Sequence, residues 1–190
     1  MGAFVLRAVP LAVALAALAG CGGGSSGGSA SVASPLPVLP VHAIPDLPAS
    51  THSLGVHELA ADVGNGPLLS PKLETWGFER GRERVFQGES HRFNHVVSRT
   101  LEFQAPEGAA AYVLFVATHV GVMFGIGSTT NALQSAGRSG YLITEAACAC
   151  HRAEPTLLAV LGSGRRVTYL EVNGGGATPA AVRSLVAQAP

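Results

Sequence analysis

The stretch LAALAGCGGGSSGGS, at residues 15–29, limits which part of the chain can form a fold. An apolar run ends there at Cys21, and glycine and serine follow immediately. Residues 22–34 contain only Gly, Ser and Ala with one valine, so they cannot bury a hydrophobic core. A globular fold must therefore form from the sequence that comes after this stretch.

The first twenty residues have the layout of an export signal. Arg7 precedes an apolar run of about twelve residues, which is too short to cross a bilayer. The run ends in LAGC at residues 18–21, which resembles the lipobox of bacterial lipoproteins. That resemblance implies that residues 1–20 are a signal peptide and that Cys21 is lipidated, which would anchor the protein to the cell membrane, facing outside the cytoplasm. The alternative is an ordinary secretory signal with an incidental cysteine.

A tether is predicted to follow, over residues 21–50. Its second part, PLPVLPVHAIPDLP, has prolines at a spacing that favours an extended polyproline II conformation. Such a segment would hold a domain away from the membrane, although its Pro-x-x-Pro pattern also occurs in ligands of aromatic grooves. Residues 51–190 then form a single globular domain.

Hydrophobic patterning predicts an α+β fold for that domain. Strands are predicted over residues 82–87, 95–104, 141–151, 156–161 and 166–173, with helices that begin at Pro106 and Pro179 and an irregular segment over residues 121–140. Hairpin connections give an antiparallel sheet of about five strands with helices packed on one face. The segments LEFQAPEGAAAYVLFVA and LEVNGGGATPAAVRSLVA are alike and suggest a degenerate ββα repeat. The arrangement resembles small α+β domains of actinobacterial lipoproteins and of kinase sensor ectodomains.

The stretch AACACHRAEP contains the other two cysteines, Cys148 and Cys150. In a strand both side chains would point to one face, with Cα atoms about 6.5 Å apart, at the limit for a disulfide. If Cys21 is lipidated, these two are the remaining pair, and an oxidising environment favours a disulfide between them. The alternative is two buried free thiols that act as small hydrophobic side chains.

A metal or redox site is a third interpretation of the same stretch. Cys148, Cys150 and His151 offer ligands, and His91 or His95 would complete the set. A regular strand points His151 away from the cysteines, and haem attachment needs Cys-x-x-Cys-His, which is absent. We therefore predict no metal and no cofactor, and keep a redox or metal-handling lipoprotein as the alternative function.

Charge and motifs favour a non-catalytic role. The formal net charge is zero, with 12 basic and 12 acidic residues, which gives no sign of nucleic-acid binding. Residues 51–190 contain no Gly-x-Ser-x-Gly motif, and the alternating charges at residues 79–84 predict an exposed strand rather than a catalytic pair. We expect a binding or interaction module of the cell envelope and not an enzyme. Its partners would be the membrane, through the lipid anchor, and a small apolar ligand or another envelope protein.

Overall fold

The computed structural model describes residues 34–62, 66–119, 128–145 and 154–190. The strands are β1 (Ala49–Leu54), β2 (Phe78–Gln87), β3 (His95–Phe103), β4 (Thr129–Ser135), β5 (Arg138–Thr144), β6 (Thr156–Ser163) and β7 (Arg166–Asn173). The helices are α1 (Val56–Asp62), α2 (Gly66–Thr75), α3 (Pro106–Thr118) and α4 (Pro179–Gln188), and a short 3₁₀ helix spans Val41–Ala43. In these ranges no helix combines the length and hydropathy that crossing a membrane requires.

The strands form one antiparallel sheet in the order β1-β2-β3-β7-β6-β5-β4. Its centre is the pair β3 and β7, where Val96 lies opposite Val172 and Leu101 lies opposite Val167. The α+β class and the antiparallel sheet are confirmed, but seven strands replace the predicted five. The two missed strands, β1 and β4, are the edges of the sheet. Their side chains are mostly exposed, so hydrophobic alternation is weak in both.

Proline fixes the start of the two helices that follow β3 and β7. Pro106 and Pro179 occupy the first turn of their helices, where backbone N–H groups have no partner within the helix. The N–H group that proline lacks is therefore not needed there. Thr178 caps α4, because its Oγ1 accepts a hydrogen bond from the Ala181 N–H at 3.2 Å. The predicted starts of both helices are confirmed.

Both faces of the sheet are covered, which corrects the prediction that helices pack on one face. One face, which we call the three-helix face, packs against α1, α2 and α3, whereas α4 packs on the other. Strand β6 shows why: its apolar run buries Leu158 and Val160 on the three-helix face and Leu157 and Ala159 on the opposite one. The helices that end the two predicted ββα units, α3 and α4, pack on opposite faces of the sheet, and the repeat stays a prediction.

Residues 34–48 lie across the face of the sheet opposite the three helices. We call this segment the strap and the face that it covers the strap face. The strap buries Leu36, Leu39, Ile44 and Leu47. The last three belong to a hydrophobic core that also contains Phe86 and Val96. The compact unit runs from Ser34 to Pro190. The folded domain therefore begins near residue 34 and not at 51, and the proline-rich half of the predicted tether is part of the fold.

Arginines of β2 hold the strap in place. The side chains of Arg80, Arg82 and Arg84 donate hydrogen bonds to the carbonyl oxygens of Ser34 at 3.2 Å, Leu36 at 3.1 Å and Leu39 at 2.7 Å. Alternate residues of a strand point to one face, so this spacing of two places all three guanidinium groups under the strap. The charge run at residues 79–84 is therefore not the exposed strand that was predicted.

Candidate functional site

An open groove lies between α3 and the strands β4, β5 and β6 on the three-helix face, and we call it the edge groove. Its volume is about 600 Å³. Apolar lining comes from Pro106, Ala110, Val113 and Leu114 of α3 and from Ala132 and Tyr141 of the sheet. Mostly apolar walls and a volume of this order are typical of small-molecule sites, which span roughly 300–1,000 Å³.

Small residues keep the edge groove open. Ala110 and Ala132 are short side chains on its two walls, and Gly162 adds no side chain to its lining. A Cβ at Gly162 would lie 3.5 Å from Val113 Cγ2 and would begin to fill the space. Gly140 instead allows β5 to lie close to β6, because a Cβ there would lie 2.0 Å from the Val160 carbonyl oxygen and would push the two strands apart.

Few polar groups border the edge groove. Gln134 supplies an amide, and Ser139, Tyr141 and Ser163 supply three hydroxyl groups. No described lining residue carries a carboxylate, imidazole, amine, guanidinium or thiol. The side chain of Leu114 is 54% exposed at this site, which a bound apolar molecule would cover. The site therefore offers apolar contact and a small number of hydrogen bonds.

A buried ionic cluster occupies the same face of the sheet. Arg99 of β3 donates from Nε to Glu83 Oε2 at 2.6 Å and from Nη2 to Asp62 at the end of α1. Its guanidinium lies 4.7 Å from the ring centroid of Tyr169, whose hydroxyl donates to Glu171 at 2.9 Å. Burial, and then the charge of Glu171, raise the pKa of Glu83, so Arg99 is the counter-charge that an ionised Glu83 requires.

Two tyrosines on this face remain protonated. Burial raises the pKa of Tyr112 to about 12 and holds the pKa of Tyr169 well above its usual range. The Tyr112 hydroxyl makes no hydrogen bond to any described residue. Arg99 joins α1 to the centre of the sheet through interactions within the protein, so we assign the cluster to stability rather than to ligand binding.

The predicted site residues Cys21, Cys148, Cys150 and His151 lie outside the described residues. Lipidation of Cys21, a disulfide between the other two cysteines and the metal or redox interpretation therefore stay predictions. Within the described ranges, no three His, Cys, Asp or Glu side chains are arranged to hold a metal ion.

Two histidines that were considered as ligands, His91 and His95, lie within the described residues, as does His119. His91 is exposed in the loop before β3, and His95 begins β3 opposite Gln87 and Asn173. His119, at the end of α3, stacks on Phe115 with ring centroids 4.2 Å apart.

Sequence reasoning missed the edge groove because it missed β4. Residues 121–140 were predicted to be irregular, yet 129–135 pair with β5 through a turn at Ala136 and Gly137. Gly137 has a φ of 74°, a left-handed conformation that favours glycine. The one available signal was this glycine between two short segments, because Leu133 is the only buried residue of β4.

Comparisons with known proteins find a structural likeness but no match in sequence. No protein-family model matches the chain, and no curated protein matches its sequence. The fold is similar to that in the crystal structure of the extracellular domain of PknH from Mycobacterium tuberculosis, with a TM-score of 0.45 and 12% identical residues. The likeness covers 75% of this chain and 76% of that one. At this level it transfers neither residue roles nor function.

Proposed function

We propose that this protein is a non-catalytic binding module, held outside the cytoplasm by a lipid on Cys21, whose edge groove binds a small apolar molecule. The observation that carries the binding proposal is the groove of about 600 Å³ with apolar walls on both sides. The exposed side chain of Leu114 beside it supports the same conclusion, since a ligand would remove that side chain from water.

The anchor is supported by the LAGC sequence at residues 18–21 and by the Gly/Ser-rich residues after it. Residues 22–33 would connect a lipidated Cys21 to the strap, which begins at Ser34. Two acyl chains or more would anchor the protein stably, whereas one chain binds a membrane only weakly. Mass spectrometry of the mature protein is expected to show an acylated N-terminal cysteine, and Cys21→Ala is expected to release the protein from the membrane fraction. An unmodified Cys21 would contradict the anchor.

The groove is tested with a neutral apolar dye, N-phenyl-1-naphthylamine, whose fluorescence rises on transfer from water to an apolar site. The protein that begins at Ser34 is used, because residues 34–190 form one compact unit. Ala110→Trp places a large side chain in the groove from the exposed side of α3 and is expected to weaken dye binding at least about ten-fold. Ala110→Ser changes the same position with almost no change in volume and is the matched control.

Circular dichroism and the Tm of both variants show whether the fold is intact. Loss of dye binding in Ala110→Trp, with normal binding in Ala110→Ser, supports the groove as the site. Equal dye binding by both variants would place the dye elsewhere, and no binding by the unmodified protein would contradict an apolar ligand site.

A further inference from the structure

The strap enters the fold at one end of the sheet and runs to the other. Near the start of β2, Arg80 donates a hydrogen bond to the Ser34 carbonyl at 3.2 Å. At the last residue of β2, the Gln87 N–H donates to the Pro48 carbonyl at 3.2 Å. The strap therefore begins beside the start of β2 and ends beside the other end of the same strand.

The register of the sheet shows what else lies at the end where the strap begins. Arg80 of β2 pairs with Glu102 of β3, and Glu102 pairs with Arg166 of β7. Arg166 in turn lies opposite Ser163, the last residue of β6. Three strand spacings of about 4.8 Å thus separate Arg80 from Ser163. We call the end of the sheet marked by these four residues the entry end.

The edge groove begins at the entry end. Its lining includes Ser163, Gly164 in the β6–β7 turn and Pro106, the first residue of α3. The helix rises about 12 Å between Pro106 and Leu114, so the groove extends from the entry end along α3. The loop at residues 88–94, at the opposite end of the sheet, contributes nothing to its described lining.

The length of the chain limits the distance between the entry end and a lipid on Cys21. Twelve residues, 22–33, separate Cys21 from Ser34. A Gly/Ser-rich chain of that length has a root-mean-square end-to-end distance of about 20 Å. Strand β2, with ten residues, is about 30 Å long. An orientation with the entry end away from the membrane would stretch the linker beyond this distance, so the opposite orientation is favoured.

The charges at the entry end are paired within the protein. Arg165 contacts Glu79 at 2.5 Å, and Arg80 and Arg166 both contact Glu102, at 2.7 Å and 3.3 Å. Pairing of this kind leaves little net charge to attract or repel lipid headgroups. The orientation that the linker favours is therefore expected on a membrane of neutral lipids.

We propose that the entry end is the membrane-facing surface of the domain, so that the edge groove opens beside the lipid headgroups. This inference rests on the proposed lipid anchor at Cys21. It adds the surface that the domain turns towards the membrane, and its partner is the headgroup layer of a phospholipid bilayer. An apolar molecule dissolved in the bilayer would then have a short path to the groove.

Trp76 makes the orientation measurable, because it is the single tryptophan of the chain and lies at the entry end. It comes two residues before β2, and the space beside Gly108 in the first turn of α3 is filled by its carbonyl oxygen. The lipidated protein that begins at Cys21 is reconstituted into phosphatidylcholine vesicles in which some lipids carry a nitroxide on the headgroup. The nitroxide quenches tryptophan fluorescence at short range, so the loss of fluorescence reports which residues lie near the headgroups.

Two further reporters mark the groove and the opposite end of the sheet, each in a protein that also carries Trp76→Phe. Leu114→Trp places the reporter at the groove, where the leucine side chain is 54% exposed. His91→Trp places it in the exposed loop before β3 and is the matched control. Circular dichroism and the Tm show whether each variant is folded.

The three reporters are expected to differ in the order of their distance from the membrane. Trp76 is expected to lose at least about half of its fluorescence, and His91→Trp less than about a tenth, because about 30 Å of strand separates the two ends. Leu114→Trp is expected to show an intermediate loss, since position 114 lies about 12 Å along α3 from the entry end.

Equal quenching of Trp76 and His91→Trp would overturn the membrane-facing surface, because the domain would then have no preferred orientation. Stronger quenching of His91→Trp would overturn it as well, since the opposite end would face the membrane. A protein that does not remain on the vesicles would contradict the lipid anchor and this inference together. The dye measurement on the protein that begins at Ser34 needs no anchor, so the edge groove is tested independently of these outcomes.

Discussion

Leu39→Ala tests whether the strap stabilises the fold. Leu39 is completely buried, at 0% exposure, in the core of the strap face, and its N–H donates to Ser98 Oγ at 3.0 Å. Truncation to alanine keeps this backbone hydrogen bond but removes the buried methyl groups and leaves a cavity. Such changes lower the free energy of unfolding by ~2–5 kcal/mol. At ~2–4 °C per kcal/mol for a protein of this size, a loss of ~3 kcal/mol lowers the Tm by ~6–12 °C.

Val41→Ala is the matched control, two residues further along the same strap. Val41 is 53% exposed, so its truncation is expected to change the free energy of unfolding by less than ~0.5 kcal/mol. Urea unfolding followed by circular dichroism measures both variants against the unmodified protein. A strap that acted only as a linker would give equal midpoints for the two variants, and that result would refute the packing described above.

Three further substitutions test the interior and the charges. Arg99→Leu is expected to lower the free energy of unfolding by ~3–5 kcal/mol because it leaves Glu83 buried without its counter-charge. In urea unfolding, the double variant Arg99→Leu with Glu83→Leu should recover most of that loss. If the effects of the two substitutions on the free energy of unfolding simply added, that result would argue against the ion pair. Tyr112→Phe removes a buried hydroxyl that has no described partner, so the free energy of unfolding is expected to stay equal or rise slightly, and a loss above ~1 kcal/mol would reveal a hydrogen bond. Hydrogen bonds from Arg80 and Arg166 hold the pKa of Glu102 below its ordinary value of 4.5, so its contribution to stability is present above that pH and is lost as the pH falls through the lower folded-state pKa. Glu102→Gln should therefore reduce the loss of Tm between about pH 5 and pH 3, and an unchanged pH profile would contradict the shift.

The interior of the sheet was predictable from sequence because its signals are local. β3 and β7 are patterned strands, and Pro106 and Pro179 mark helix starts that depend on a single residue. The edge strands were missed because an edge strand is set by backbone pairing with its neighbour, and a mostly exposed sequence such as TTNALQS leaves little pattern.

The strap was predicted to be a tether for a different reason. Its prolines favour an extended chain, and that expectation suits a segment that runs across a sheet as well as a segment in water. The choice between the two depends on a partner that is distant in sequence: Arg82 lies 46 positions from the carbonyl of Leu36 that it holds. The composition of the segment gives no information about such a long-range contact. The apolar Leu36 and Leu39 between the prolines were the available signal, because a solvated spacer does not need them.

A formal net charge of zero also hides how charge is distributed between the faces of the sheet. The strap face carries Arg80, Arg82, Arg84, Arg138 and Arg166 with Glu102, whereas the cluster on the three-helix face carries Arg99 with Asp62, Glu83 and Glu171. Period-two alternation in β2 produces part of this separation, since Arg82 and Glu83 are neighbours in sequence but point to opposite faces. The formal net charge of the chain therefore hides an unequal distribution of charge between the two faces of the sheet.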